Sequence, residues 1–322
     1  MRVFVTGSTG FVGTAVVNEL LAANHTVVGL TRSDAGVAQL QAHPRAEDGS
    51  VEAVCGTLED LDLLRHTAAR CDAVLHLAYN HDDFSKYAEA CATDRAAIAA
   101  MASALEGTDK PLVVTSGTGL LTEGAGPVGS VVGTEDDEPD AAHPWSVLRG
   151  QAEKLCKDLA DNKDKSKAVR AMVVRLPPTT HGPGSSGFMA VLVATALRQG
   201  AAAYVGDGQN AWCACHRDDA ARLYRLAMEK GRAGAVYHAV AEEAVPLKDL
   251  AAAIGTRLDL PVVSIRPDEV QDHFGWFAFA AADKRASSHK TKRELAWNPT
   301  GPTVVDNTGV IVDSIKAHGA RF

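Results

Sequence analysis

Three glycines near the N-terminus, Gly7, Gly10 and Gly13, stand at the spacing G-x-x-G-x-x-G. A short apolar run precedes them, and the apolar residues that follow recur at helical intervals. A strand, a glycine turn and a helix in this order form a cradle for dinucleotide phosphates, because the glycines permit a tight turn and a close approach of the backbone. The amide groups and the dipole at the helix N-terminus attract the anionic phosphates. This opening therefore predicts a bound dinucleotide.

The choice of dinucleotide depends on the residues after the second predicted strand, which read Leu30-Thr-Arg-Ser33. In NAD-binding folds a carboxylate near this point binds the ribose 2′-hydroxyl. The strand end of this chain has no acid, and Arg32 offers a guanidinium whose charge and donor geometry suit a 2′-phosphate. The sequence therefore predicts NADP(H), with NAD(H) as the second choice. The alternative is that Arg32 is only a surface charge, and Asp34 is expected to begin or cap the next helix.

The elements that position these residues alternate between strand-like and helix-like segments. Strand-like runs lie at residues 3–5, 27–30, 51–54, 73–77, 111–115 and 172–175. This alternation predicts an α/β fold with a doubly wound, Rossmann-type parallel sheet. Beyond residue 175 the segments become shorter and richer in glycine, which predicts a smaller, irregular C-terminal substrate domain. The expected division gives 1–175 and about 205–235 to the dinucleotide-binding domain, and about 176–204 and 236–322 to the substrate domain.

The composition restricts the partners that the protein can have. The 322 residues carry a net charge of −8, whereas a nucleic acid or an anionic membrane surface requires clustered lysine and arginine. No apolar run approaches the roughly 20 residues of a membrane span, and the chain enters a strand at once, so no signal peptide is expected. The closest cysteines, Cys213 and Cys215, lack the spacing of a zinc site. We therefore expect a cytoplasmic protein with a small-molecule substrate, no nucleic acid, no membrane contact and no metal.

Five segments resemble, in chain order, the motifs of the short-chain dehydrogenase/reductase superfamily, in particular its extended and atypical branches with the NAD-dependent epimerases and dehydratases. Residues 6–13, 56–60, 72–78, 215–220 and 293–299 are similar to the family patterns TGxxGxxG, GDLxD, DxVxHLA, HVDDV and RxLGWxP. The resemblance covers nearly the whole chain and implies a monomer or a homodimer. The cofactor-binding residues that we predict are Gly7, Thr9, Gly10, Phe11, Val12, Gly13, Arg32, Ser33, Thr57, Leu58, Leu77, Ala78, Arg149 and Pro177.

The chain departs from this family at the residues that would transfer a proton. Family members normally carry Tyr-x-x-x-Lys at the start of the helix that follows the fifth strand, and the pair Ala152-Glu153 sets the alignment. Trp145 and Arg149 then occupy the tyrosine and lysine positions. The family's tyrosine donates a proton to the substrate carbonyl, which an indole N–H cannot do near neutral pH. Arg149 still offers a charged donor to the ribose hydroxyls.

Other residues are candidates for the missing catalytic roles. The alignment places Gly117 where the family has a serine or threonine, and one of its neighbours, Ser116 or Thr118, is expected to orient the substrate oxygen. Histidine is suited to proton transfer near pH 7. The candidates are His81, His181 and His143, each of which could instead be a hydrogen-bonded loop residue. A water molecule is the remaining source of the proton.

Three functions remain open on these residues. The first, which we favour, is an NADP(H)-dependent oxidoreductase that transfers hydride to or from a small organic carbonyl or alcohol. The second is a cofactor-dependent isomerase, epimerase or lyase without net redox change. The third is a non-catalytic redox sensor that binds NADP(H). An aromatic patch from His273 to Phe277 either forms a wall of an apolar substrate pocket or belongs to the core.

Overall fold

Strands and helices alternate along the chain as the sequence predicts. The computed structural model describes residues 1–81, 83–122, 127–184 and 187–319, without the side chain of Phe84. The strands are β1 (Arg2–Thr6), β2 (Thr26–Thr31), β3 (Val51–Cys55), β4 (Ala73–His76), β5 (Pro111–Gly117), β6 (Arg170–Leu176), β7 (Thr179–His181), β8 (Ala202–Val205), β9 (Ala211–His216), β10 (Val236–His238), β11 (Glu242–Pro246) and β12 (Val262–Ile265). The helices are α1 (Phe11–Ala22), α2 (Asp34–Gln41), α3 (Leu61–Ala69), α4 (Tyr87–Ser103), α5 (Pro144–Ala160), α6 (Phe188–Gln199), α7 (Arg217–Lys230), α8 (Leu247–Leu258), α9 (Val270–Phe274), α10 (His289–Leu295) and α11 (Val304–His318).

A parallel sheet forms the centre of the molecule. Its strands lie in the order β10-β6-β5-β4-β1-β2-β3. The chain builds β2 and β3 on one side of β1 and then crosses to β4 on the other side. This reversal creates a crevice between the carboxyl ends of β1 and β4, where open α/β sheets bind their ligands. The predicted doubly wound α/β fold is confirmed, and β10 adds an edge strand that the sequence patterns did not predict.

Helices cover both faces of this sheet, which explains why its strands are continuously apolar. On one face α1 packs against α7, where Leu20 and Tyr224 belong to the same buried cluster. On the other face α3, α4 and α5 pack together, and Leu64, Ile98 and Ala152 share a second cluster. The two helical layers therefore bury both faces of the sheet.

The remaining elements form a smaller unit beside the carboxyl ends of β5 and β6. A three-stranded sheet has the order β11-β9-β7, and β8 pairs with β12. These strands share a buried cluster with α6, α8 and α11. Strand β10 begins directly after residue 235, where we placed a domain boundary, and it pairs with β6 of the large sheet. The division into two domains remains a proposal.

Candidate functional site

The glycine turn connects β1 to α1 at the crevice. Gly7 has a φ of +68°, a left-handed conformation that favours glycine, and a Cβ there would lie 2.8 Å from the backbone nitrogen of Ala78. A Cβ on Gly13 would lie 1.9 Å from the carbonyl oxygen of Gly7. Both positions therefore require glycine, because any side chain would push the turn away from α1 or from the residues after β4.

The start of α1 is built to receive an anion. Gly10 precedes the helix in an extended conformation, and no side chain in the described part of the chain caps the first turn. Gly10 is exposed, while Thr9, Phe11 and Val12 are partly exposed around it. A helix start leaves its first amide groups without intrahelical partners, and an anionic ligand can satisfy them. This turn fits the phosphates of a dinucleotide, because its glycines have no side chains that would fill the space the phosphates need.

The ends of β2 and β3 place further predicted residues on the same sheet edge. Arg32 follows β2 and is exposed, and Ser33 caps α2 by accepting a hydrogen bond from Gly36 N at 3.2 Å. Thr57 follows β3, and its backbone N–H and hydroxyl both donate to the Asp60 carboxylate, at 2.7 and 3.0 Å. Leu58 beside it packs on the core. The fold thus aligns the glycine turn, Arg32 and Thr57 along consecutive strand ends.

The segment after β4 closes the other side of the crevice. Leu77 N donates to the carbonyl oxygen of Thr6 at 3.3 Å, and Ala78 N donates to the Thr6 hydroxyl at 3.2 Å. Pro177 follows β6, is buried and accepts a hydrogen bond from the Thr180 hydroxyl at 3.2 Å. The structure therefore brings Leu77 and Ala78 against the glycine turn after β1 and places Pro177 at the end of β6, three strands from β1.

A chain of buried hydrogen bonds runs from the glycine turn to α5. The Thr6 hydroxyl accepts from Ala78 N and is hydrogen-bonded to His76 Nδ1 at 2.8 Å, and His76 Nε2 donates to Asp94 Oδ1 at 3.2 Å, because a carboxylate only accepts. Arg149 Nη1 completes the chain with a 2.6 Å bond to the other oxygen of Asp94. This arrangement connects the predicted cofactor cradle to α5.

Arg149 is held at the end of β5 by three contacts. Besides Asp94, its guanidinium donates to the carbonyl oxygen of Thr115 at 2.6 Å and lies 4.7 Å from the ring centre of Tyr79. Burial by itself would raise the pKa of Asp94, but the Arg149 charge and the His76 hydrogen bond outweigh burial and hold that pKa below its ordinary value. Arg149 therefore has a fixed orientation and a neutralising partner. Its contact with a cofactor ribose remains a prediction.

Trp145 lies in the first turn of α5 and is 36% exposed. Its ring centre is 5.9 Å from Lys284 Nζ, and its backbone carbonyl accepts a hydrogen bond from the Tyr87 hydroxyl at 3.1 Å. Lys284 is buried and donates to the carbonyl oxygen of Leu121 at 2.7 Å. The residue that we predict at the family's tyrosine position is thus an indole that borders a lysine from the C-terminal part of the chain.

The two hydroxyls at the end of β5 differ in their partners. Ser116 is buried, and its Oγ has no hydrogen-bond partner among the described residues. The Thr118 hydroxyl is engaged with Cys213 Sγ at 3.2 Å and Leu176 O at 3.4 Å. A buried hydroxyl without a partner costs about 1–3 kcal/mol. Ser116 is therefore the better placed of the two to bind an incoming oxygen atom.

The candidate histidines fall into two environments. His81 and His143 are exposed, and the His81 ring lies 4.9 Å from that of Tyr79, which in turn borders Arg149. His181 is fully buried in β7, and its Nδ1 accepts a hydrogen bond from the Asn307 amide at 3.0 Å. Burial, together with the charge on the nearby His216 ring, lowers the pKa of His181 to about 3, so this side chain is neutral near pH 7.

Sequence reasoning missed a buried ion pair behind the site. Arg175 of β6 donates to both carboxylate oxygens of Glu153 on α5, and its Nη2 contact is 2.6 Å. Arg175 Nη1 donates to His238 Nε2 at 3.3 Å, while His238 Nδ1 donates to Ser287 O at 2.8 Å. Asp94 was also missed, although it lies on the apolar stripe of α4. A charged residue on such a stripe signals a buried partner.

Aromatic side chains pack beside the end of β5. Phe188 lies 4.7 Å from Phe279 and 5.0 Å from Phe277, measured between ring centres. A Cβ on Gly119 would be 3.6 Å from the Phe279 ring, so this ring borders the turn after Ser116. Within the predicted aromatic patch, Phe277 is buried in the core whereas Trp276 is 63% exposed.

In the part of the chain that the structure covers, no three His, Cys, Asp or Glu side chains are grouped to hold a metal ion. The described helices likewise include none that is both long and apolar enough to cross a membrane.

Comparison with known proteins gives related chains and solved structures of the same fold. Residues 3–241 match the model of the NAD dependent epimerase/dehydratase family. An uncharacterised protein of Schizosaccharomyces pombe is 44% identical over 307 residues, which are 95% of this chain and 97% of that protein. A Stenotrophomonas maltophilia protein named 2-alkyl-3-oxoalkanoate reductase is 29% identical over 263 residues, 78% of this chain and 73% of that protein. A dTDP-glucose 4,6-dehydratase from Streptomyces venezuelae, solved with NAD bound, has the same fold with a TM-score of 0.76 at 20% identity, over 99% of this chain and 98% of that one.

Proposed function

The chain belongs to the NAD-dependent epimerase/dehydratase family and is an NAD(P)-dependent enzyme of the short-chain dehydrogenase type; on this premise we propose that it uses NADP(H) to transfer hydride to or from a small organic carbonyl or alcohol. The observation that carries the proposal is the uncapped glycine turn at the crevice between β1 and β4. The predicted resemblance to this superfamily is confirmed. The cofactor preference and the reaction are the proposal.

Arg32 supports the choice of NADP(H). It lies directly after β2 on the same sheet edge as the glycine turn, at the point where a 2′-substituent of the adenosine ribose would be recognised. Arg32 follows the last residue of β2 directly, and the next two residues, Ser33 and Asp34, form the start of α2. A guanidinium at this point favours a phosphate over a hydroxyl because it offers charge and paired donors.

The side chains at the end of β5 would orient the substrate. NADPH, when bound, supplies hydride to a carbonyl carbon. Ser116 would donate a hydrogen bond to the carbonyl oxygen, since its hydroxyl is buried without a partner among the described residues. Arg149 would bind the ribose hydroxyls from the position at which Asp94 and Thr115 fix it. Phe279 would limit the space beside Ser116 to a small or apolar substrate group.

Proton delivery must use a group other than Trp145. His81 is the better candidate among the predicted histidines, because it is exposed and its ring borders Tyr79, which in turn contacts Arg149. His181 is enclosed, and its ring is neutral near pH 7, so the acidic imidazolium form is not available there. We propose that His81 or water protonates the alkoxide. The relative named 2-alkyl-3-oxoalkanoate reductase supports a carbonyl substrate.

The indole at position 145 also favours a second candidate, a reaction without net redox change. A family whose name includes epimerases and dehydratases contains such chemistry, and the missing tyrosine removes the usual proton donor for simple ketone reduction. A non-catalytic sensor of NADP(H) is consistent with the same indole. A cytoplasmic location, a small-molecule substrate and a monomeric or homodimeric state remain part of the proposal.

One experiment separates these functions. The purified chain is titrated with NADPH and NADH by fluorescence and then incubated with a panel of carbonyls and alcohols, with absorbance followed at the nicotinamide band. Preferential NADPH binding with turnover supports the oxidoreductase. Product formation without a net absorbance change supports an isomerase or lyase, and binding without product across the panel supports the sensor. Absence of binding to either dinucleotide would refute the proposal.

A further inference from the structure

Arg217 brings a positive charge to the glycine turn from a distant part of the chain. It is the first residue of α7, and its guanidinium carbon lies 5.3 Å from the ring centre of Phe11, which is the first residue of α1. This spacing is within the range of a cation–π contact. The Arg217 guanidinium therefore lies beside the start of α1, at the predicted phosphate cradle.

The guanidinium of Arg217 adds positive charge beside the start of α1, which favours an anionic ligand there. Each helix N-terminus carries a partial positive charge, so carboxylates are stabilising there and cations are not. Asp218 lies 3.6 Å from Arg217 Nε, but its side chain is 63% exposed, and exposed pairs contribute little. The neighbouring Asp219 carboxylate is already engaged with the backbone N–H groups of Thr300 and Gly301, at 3.0 and 2.7 Å. The described side chains therefore compensate the positive charge at this point only weakly.

The structure nevertheless holds Arg217 in one place. Its Nη1 donates to the carbonyl oxygen of Pro183 at 2.6 Å, and its Nε is buried without a hydrogen-bond partner among the described residues. A Cβ on Gly182, whose φ is +153°, would lie 2.9 Å from Arg217 Cγ, so a glycine makes room for the arginine stem. The side chain is only 21% exposed. A fixed, partly buried guanidinium beside uncapped amide groups is suited to bind a phosphate.

We propose that Arg217 binds the diphosphate of the dinucleotide together with the α1 amide groups. The inference rests on the proposed function and adds a binding residue that the glycine motif does not contain. The same chemistry would also recognise a phosphate on the substrate, and the test below distinguishes the two sources.

The test compares Arg217→Met and Arg217→Lys with Arg225→Met. Arg225 lies on the same helix, is 22% exposed and also contacts α1 through Glu19, but it is paired with two carboxylates. NADPH binding is measured without substrate at several salt concentrations. We expect Arg217→Met to raise the Kd for NADPH about tenfold and to weaken its salt dependence, Arg217→Lys to have a smaller effect, and Arg225→Met to stay within about twofold of wild type. Thermal unfolding of each variant shows whether the fold is intact, and Arg217→Lys carries the test if the methionine variant does not fold.

A dinucleotide fragment separates the diphosphate from the other phosphates. Adenosine 2′,5′-bisphosphate lacks the diphosphate bridge, so we expect Arg217→Met to change its Kd by less than about threefold. A wild-type Kd and salt dependence for NADPH in Arg217→Met would overturn the inference while the proposed function stands. If Arg217→Met changes only the KM of a phosphorylated substrate and not the Kd of NADPH, the assignment of Arg217 to the cofactor diphosphate is overturned while the proposed function stands. If the wild-type chain binds no dinucleotide, the proposed function fails and the inference fails with it.

Discussion

The two sides of the crevice are built by different means. On the side of β1, β2 and β3, the backbone forms the site, and Gly7 and Gly13 are required because their neighbours leave no room for a Cβ. On the side of β5 and α5, side chains from distant elements form the site, and Asp94 on α4 fixes Arg149 through a buried ion pair. The first side depends on local spacing in the sequence. The second depends on pairs that only the tertiary fold creates, so the two sides should respond differently to substitution.

The largest effect is expected from breaking the side-chain pair on the α5 side. Asp94→Ala leaves the Arg149 guanidinium, which is 12% exposed, without its carboxylate and also removes the acceptor of His76. We expect the free energy of unfolding to fall by about 3–5 kcal/mol, as measured by urea denaturation. Asp94→Asn retains an acceptor and should lose less. Equal stability of Asp94→Ala and wild type would show that the pair is not buried as described.

A substitution in the glycine turn is expected to cost less stability than Asp94→Ala but to abolish NADPH binding. Gly13→Ala places a methyl group against the backbone oxygen of Gly7, so the turn must move and the cradle is lost. We expect a destabilisation of about 1–3 kcal/mol and no measurable NADPH binding. Gly309→Ala in α11 is the control, because the nearest atom to its Cβ is Arg257 Nε at 3.5 Å, in a flexible side chain. Normal NADPH affinity in Gly13→Ala would contradict the assignment of the cradle.

A pH dependence should report the network behind the α5 side. Burial, and then the Arg175 charge, lower the pKa of His238 to about 3 in the folded protein, whereas an unfolded histidine titrates near about 6.5. The unfolded chain then binds more protons between these values, so the free energy of unfolding decreases as the pH falls from about 6.5, by up to about 1.4 kcal/mol per pH unit. We expect the free energy of unfolding of His238→Asn to depend less steeply on pH than that of wild type, as measured by denaturation across this range. Parallel slopes would contradict a neutral, buried His238.

The smallest expected effect concerns the choice of cofactor at the end of β2. Arg32→Glu removes the charge that we assign to the 2′-phosphate and introduces a repulsive carboxylate. We expect the Kd for NADPH to rise about tenfold or more, with little change for NADH, in fluorescence titrations. Arg65→Glu, on the exposed surface of α3, is the control. An unchanged NADPH affinity in Arg32→Glu would remove the NADP(H) assignment but would leave the glycine cradle intact.

The sequence predicted the backbone side of the crevice better than the side-chain side. The spacing of Gly7, Gly10 and Gly13 between a strand and a helix is sufficient to locate the turn, because all the residues involved are neighbours in the chain. Asp94 and Arg149 are 55 positions apart, and no local pattern relates them. An alignment on the pair Ala152-Glu153 found Arg149 but gave no hint that Glu153 itself binds Arg175. Arg217 was missed for the same reason, since its contact with Phe11 exists only once α7 packs on α1.

The central claim is hydride transfer from NADPH at a site without the usual tyrosine. Its most direct test is to incubate the protein with NADPH that carries deuterium at nicotinamide C4, in each of the two stereochemical forms, together with the carbonyl panel. Mass spectrometry then follows the products. The proposed function predicts an alcohol that carries deuterium on its carbinol carbon from one of the two forms only. Unlabelled products with both forms, or products formed without consumption of NADPH, would contradict it.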